Sequence, residues 1–270
     1  MFHLDHDNDQ PPATNDQLRD AILGSLRNEL TLDPRHNAVN VTDDLLKVTV
    51  TDARVSTDVP PKRPRPGDTR TPGPHFDNLL VEGRPIKVDT ADVELALTAN
   101  GVSFDFDKDT DDGRWLLMLG SVRDGDVDVS IALADLRALI GTKVKQGADG
   151  HGVVIEGIDL DIASHGPRSV RLDATINGHK PMGFMKPAFS VGLTGNLEVD
   201  GDLVARLSGL QLNGDGLVMK LLTGLLGDKL KELEKKRFPL AAFPLGTAKL
   251  RDVAIDATDP IRVTAKFGTD

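Results

Sequence analysis

Asp105, Asp107, Asp109 and Asp111 stand at every second position of one short stretch. Oxygen ligands at alternate positions are how a calcium loop begins, so this spacing is the chain's clearest suggestion of chemistry. An EF-type loop also needs Gly at its sixth position and a bidentate Glu at its twelfth. Counted from Asp105, those places hold Thr110 and Leu116. The run reads as a solvated acidic hairpin tip, with weak cation binding as the alternative. Asp107 and Asp109 are also the only carboxylates on which an unrecognised hydrolase is worth testing.

Other chemistry-bearing residues are arranged less suggestively. The seven His (His3, His6, His36, His75, His151, His165 and His179) are scattered and form no HExxH pattern, so each reads as structural or superficial. Gly147-Ala148-Asp149-Gly150-His151-Gly152 looks like a glycine-rich phosphate loop. It lacks the Gly-Lys-Ser/Thr ending and leads into a strand pattern, so it reads as a turn. No Gly-x-Ser-x-Gly elbow is present. The absence of Cys excludes thiol catalysis, Cys-based zinc sites and iron–sulfur clusters. The expectation is therefore a non-enzymatic protein with no catalytic residue, no metal site and no cofactor.

Composition narrows the partners. Asp plus Glu number 42 against 32 Lys plus Arg, for a net charge of −10 over 270 residues. General nucleic-acid binding requires a basic face, and base-stacking platforms require aromatic rings. Only 4% of this chain is aromatic, with no Tyr and a single Trp, Trp115, so no nucleic-acid partner is expected. The start, Met1-Phe2-His3-Leu4-Asp5-His6-Asp7, has no apolar leader region, and no run of 18 apolar residues occurs. The sequence as it stands suggests a cytoplasmic or peripheral-membrane protein, or one of the periplasm or cell envelope if a leader has been trimmed. Oligomeric state is open.

The elements that position these residues are mostly strands. Residues 1–14 are rich in Asp, Asn and Pro and read as a disordered tail, leaving 15–270 as a single domain. Leu18, Ile22, Leu26 and Leu30 repeat every fourth position and predict a helix, with Asn15 or Asp16 as its N-cap and Asp33-Pro34 at its end. Alternating patterns predict strands at about 86–106, 115–133, 153–163, 168–177, 189–199, 202–212, 247–257 and 260–267. Val199-Asp200-Gly201-Asp202-Leu203 is the strongest hairpin signal. Two short helices are expected, at 134–140 and, on a similar pattern, at 90–97. The Pro-rich basic segment 59–74 reads as an exposed loop, and its Lys62, Arg63 and Arg65 are candidates for contact with an anionic membrane or headgroup.

A final helix is predicted over 215–236. At 100° per residue its Leu, Val and Met cover more than half the circumference, whereas a helix lying on one sheet needs a stripe only a little over 100° wide. The excess requires cover on a second side, from a curved sheet, another helix or a ligand. Leu217, Leu221, Leu222, Leu225 and Leu226 are candidate groove residues, joined by Phe184, Met185 and Phe189 from an unusually apolar connection.

Two local patterns resemble a known family. They are the strand-to-helix unit Ser130-Ile131-Ala132-Leu133-Ala134-Asp135-Leu136-Arg137-Ala138-Leu139-Ile140, and the ending Phe238-Pro239-Leu240-Ala241-Ala242-Phe243-Pro244-Leu245-Gly246 followed by Leu250-Arg251-Asp252-Val253. Over about 15–267 the chain resembles the bacterial single-domain relatives of the tubular lipid-binding (TULIP) superfamily, the LmeA-like proteins among them. The resemblance implies an α+β fold: a highly curved antiparallel β-sheet wrapped around a long C-terminal amphipathic helix. It also implies a lipid or other acyl-chain ligand in an apolar groove between the two. The missing leader and the insertion at 59–74 depart from that pattern. Burying about 14 methylenes gains on the order of 11 kcal/mol over water, and a bilayer offers nearly as much, so such a groove must be almost wholly apolar. The alternative is a structural or protein-interaction module that uses the Leu-rich helix as a partner surface.

Overall fold

Period-two alternation of apolar and polar residues dominates the chain, and strand dominates the computed structural model accordingly. The structure describes every residue except 7, 31–35, 56–63, 150–151, 182–185, 215–229, 243–246 and 270. The first half holds β1 (Phe2–His3), α1 (Asn15–Glu29), β2 (Ala38–Val41), β3 (Leu45–Val50), β4 (Ala53–Val55), β5 (Thr71–Val88), β6 (Ala91–Lys108) and β7 (Trp115–Ile131). Then come α2 (Leu133–Asp149), β8 (Val154–Gly166), β9 (Ser169–His179), β10 (Ala188–Val199), β11 (Val204–Gly214), β12 (Arg237–Pro239), β13 (Lys249–Asp256) and β14 (Ile261–Gly268).

Among the described residues these strands form two open sheets. One runs β13-β14-β7-β6-β5-β3-β2, with β1 added to β7 and β4 to β5. The other runs β12-β11-β10-β9-β8. Neighbours are antiparallel wherever the register is defined, except that β3 and β4 lie parallel to β5. The chain divides into two compact units. The first comprises Met1–Ser130, Phe243–Asp252 and Thr264–Asp270, and the second Ile131–Ala242 and Val253–Val263.

The core of the first unit is the seam between α1 and the first sheet. Leu18, Ala21 and Ile22 are buried on one face of α1 and join a cluster with Phe76, Val102, Phe104, Phe106, Trp115, Leu117 and Val122. Phe104, Phe106 and Val102 alternate along β6, so all three point to the helix side. Phe76 and Phe104 meet edge-to-face with centroids 6.2 Å apart. The helix N-cap is Thr14, whose Oγ1 accepts from the Gln17 N–H at 3.2 Å, one residue ahead of the predicted position.

Several sequence expectations need correcting. Residues 2–5 are clamped in place: Phe2 pairs with Leu117, Leu4 N–H donates to the Trp115 carbonyl at 2.7 Å, and Asp5 N–H donates to the Ala21 carbonyl at 3.2 Å. Leu4 is fully buried, so apolar burial and strand pairing outweigh the polar composition of this segment. The predicted helix at 90–97 is the first half of β6. Its Leu95, Leu97 and Ala99 recur at period two, and long-range pairing with β5 decides the outcome over the helical propensity of Ala, Glu and Leu. The predicted exposed loop at 59–74 is strand from Thr71, which pairs with Phe106, and the register shifts between Pro72 and His75, where the prolines sit. The helix expected at 134–140 runs the longer span of α2. Of the expected Leu-rich helix, 215–229 lies outside the described residues; 230–235 is helical and gives way to β12.

Candidate functional site

The second sheet has two chemically opposite faces, because its registers bring like residues together. Directly opposed residues point to the same side. Across β10 and β9, Val191 faces Ile176, Leu193 faces Ala174 and Leu197 faces Val170. Across β8, Ile158, Leu160 and Ile162 continue the same side opposite Ile176, Ala174 and Leu172. Across β11, Leu212 and Leu207 extend it opposite Leu193 and Leu197. The reverse side carries Asp173, Thr175, Asn177, Ser190 and Thr194. Leu160, Val170, Phe189 and Val191 are buried, but Ile158, Ile162, Leu172, Ile176, Leu193, Leu197, Leu207 and Leu212 are only half-buried. A cavity of about 610 Å³ is lined by Thr175, Phe189, Ser190, Gly192 and Asn213.

Of the residues expected to line such a groove, Phe189 lies on the apolar side. It is buried with Val153 and Val191, against Ala148 of α2, Ile155, Ile176 and Leu212. Phe184, Met185, Leu217, Leu221, Leu222, Leu225 and Leu226 lie outside the described residues, as do Lys62 and Arg63. Arg65 is exposed and pairs with Asp111 at 3.4 Å, while its carbonyl accepts from the Thr110 N–H at 2.9 Å. It is thus fastened to the acidic turn.

The turn is solvated at its tip, 110–114, as its composition suggested, but not at its base. Asp107 and Asp109 are each only 2% exposed. β6 and β7 leave the sheet here, and the Asp109 N–H donates to the Arg114 carbonyl at 2.8 Å to close the hairpin. His3 comes from the other end of the unit: β1 registers it opposite Leu116, and its Nε2 donates to Asp109 Oδ2 at 2.7 Å. The Asp111 N–H donates to Asp109 Oδ1 at 2.9 Å. These two donors, the backbone amide first and the imidazole second, hold the Asp109 carboxyl below the usual carboxylate range. Arg114 does the same for Asp112, donating from Nε to Oδ2 at 2.9 Å. One ligand-capable atom each from His3, Asp109 and Asp112 lies within 4.8 Å of the others. Asp107 Oδ2 is buried and has no hydrogen-bond partner among the described residues. His3 escaped sequence reasoning because it was placed in the tail; the Phe2-His3-Leu4 alternation is the signal that marks a strand there.

No family model, curated protein or solved structure matches the chain. Among the described residues, no helix is long and apolar enough to cross a membrane.

Proposed function

We propose that the protein binds a lipid or another acyl-chain ligand on the apolar side of its second sheet. The observation that carries this reading is the continuous set of Leu, Ile and Val side chains across β8, β9, β10 and β11 that stays half-buried beside a polar reverse side. Monomeric soluble proteins rarely leave contiguous apolar areas of this kind without a use for them. In this reading the Leu-rich segment 217–233 supplies the opposite wall. A curved sheet around a long helix, as the TULIP resemblance implies, is the architecture proposed to enclose the ligand. Phe184, Met185 and Phe189 contribute the lip; as a separate part of the proposal, Lys62, Arg63 and Arg65 of the first unit contact an anionic membrane surface.

Native mass spectrometry and solvent extraction of the purified chain test it. Bound lipid is expected in the wild type and is expected to be lost in Leu193→Asp or Ile176→Asp, each of which places a charge on the apolar side. Clean wild-type extracts, together with failure to take up acyl chains from vesicles, reject it. A dimer in analytical ultracentrifugation that dissociates in Leu193→Asp favours the interaction-module alternative instead.

A further inference from the structure

We infer that His3, Asp109 and Asp112 form a binding site for a divalent transition-metal ion, of which Zn²⁺ is the representative. The site lies in the first unit and is independent of the apolar-ligand reading. Three observations converge on it. First, an imidazole nitrogen and two carboxylates bring their ligand atoms within 4.8 Å of one another, from a strand and a hairpin more than 100 residues apart in sequence. Ligand atoms around a tetrahedral ion sit roughly 3.4 Å apart, given Zn–N and Zn–O bonds of about 2.0–2.2 Å. His3 Nε2 and Asp109 Oδ2, now joined by a hydrogen bond of 2.7 Å, move apart by under about 1 Å as the ion takes the place of the proton between them. Asp112 is the exposed member, and it closes the remaining distance by turning its Oδ2 away from Arg114.

Second, two of the three ligands are buried and fixed. His3 is 4% exposed, and Asp109 is anchored by the Asp111 N–H through the oxygen that does not face His3. That arrangement is typical of carboxylate ligands, whose free oxygen is oriented by a second hydrogen bond. Third, strand alternation places Asp107 on the same side of the sheet as Asp109, and its Oδ2 is a buried carboxylate oxygen without a donor among the described residues. Leaving such an atom unpaired is costly, and a hydrated cation brings both positive charge and O–H donors to this side of the strand.

The ligand chemistry selects the ion. A site of one imidazole and two carboxylates suits Zn²⁺ and its first-row neighbours, whereas Ca²⁺ demands six to eight oxygens. Three protein ligands leave a position open for water. Binding also fastens the N-terminal strand to the β6–β7 hairpin. The cost is the Asp112–Arg114 ion pair, which is exposed and therefore weak.

The experiment uses the full chain, stripped with a chelator and dialysed against Zn²⁺ or Ca²⁺, with metal content and affinity read by elemental analysis and competition titration. One Zn²⁺ per chain is expected, with little Ca²⁺ uptake. His3→Gln and Asp112→Asn are expected to weaken Zn²⁺ binding by roughly tenfold or more, at least the loss seen when a ligand's supporting contact is removed. Asp112 is exposed, so Asp112→Asn keeps the test valid if His3→Gln folds poorly. Absence of stoichiometric Zn²⁺ uptake, unchanged Zn²⁺ affinity in Asp112→Asn, or preference for Ca²⁺ overturns the proposal.

Discussion

The Phe189 ring lies directly over Gly178 on the neighbouring strand, so close that a Cβ at 178 would sit 2.8 Å from Phe189 Cζ and 2.3 Å from the Val154 carbonyl oxygen. The apolar side of β9 and β10 is thereby closed at one end by an aromatic ring that only glycine admits. Gly178→Ala is expected to destabilise the protein by about 1–3 kcal/mol, because the backbone of β8 cannot yield as a flexible side chain does. Gly157→Ala is the control: nothing lies within 4 Å of a Cβ there, and a change within about 0.5 kcal/mol is expected. Urea denaturation followed by circular dichroism measures both.

Phe76 is the largest fully buried side chain of the first unit, at 1% exposure. Its truncation to Ala removes the edge-to-face contact with Phe104 and opens a cavity beneath α1. A loss of about 3–5 kcal/mol is expected, seen as a lower denaturation midpoint. A loss under about 1 kcal/mol would mean that this seam is not the packed core described above.

The helix cap distinguishes two readings of one turn. Thr14→Ala removes the acceptor for the Gln17 N–H and is expected to cost about 1 kcal/mol. Asn15→Ala loses an exposed bond to Asp43 at 2.9 Å and is expected to cost less than about 0.5 kcal/mol. If the order of the two effects is reversed in thermal unfolding, Asn15 is the cap after all.

Asp200 gives the acid limb of stability. The Val204 N–H, which donates to Oδ1 at 2.9 Å, and then Arg206, hold its carboxyl below the usual range. A carboxyl depressed in the folded state stabilises the fold at pH above its unfolded value, near about 3.9, and that contribution disappears as pH falls through the folded value. Asp200→Asn is therefore expected to be less stable than wild type near neutral pH. The difference should shrink below about pH 4. Thermal midpoints recorded across that range check it; a difference that is constant with pH would show that the charge contributes nothing.

Much of the architecture was legible in local pattern. The α1 periodicity, the hairpin at Asp200-Gly201, the α2 start and the closing pair β13 and β14 all follow from residues adjacent in sequence. The burial of Asp107 and Asp109 in the acidic turn was not legible, since both look like surface carboxylates until the fold buries them and brings His3, from the other end of the unit, onto Asp109. Residues 90–97 misled for a related reason: their helical and extended patterns coexist, and only the partner strand β5 selects one.

By itself, then, the sequence determined that this is a strand-rich, Cys-free, acidic chain with one amphipathic helix near its start and apolar alternation that demands a covered face. Those properties depend on neighbours within a few positions, where periodicity and turn chemistry act. Tertiary structure decided which face of the second sheet gathers the leucines, that Phe2–His3 is a strand, and that His3 meets Asp109. These outcomes rest on strand register and on contacts spanning many residues. Burial, which only the assembled fold confers, turns an ordinary aspartate into a fixed and partnered group.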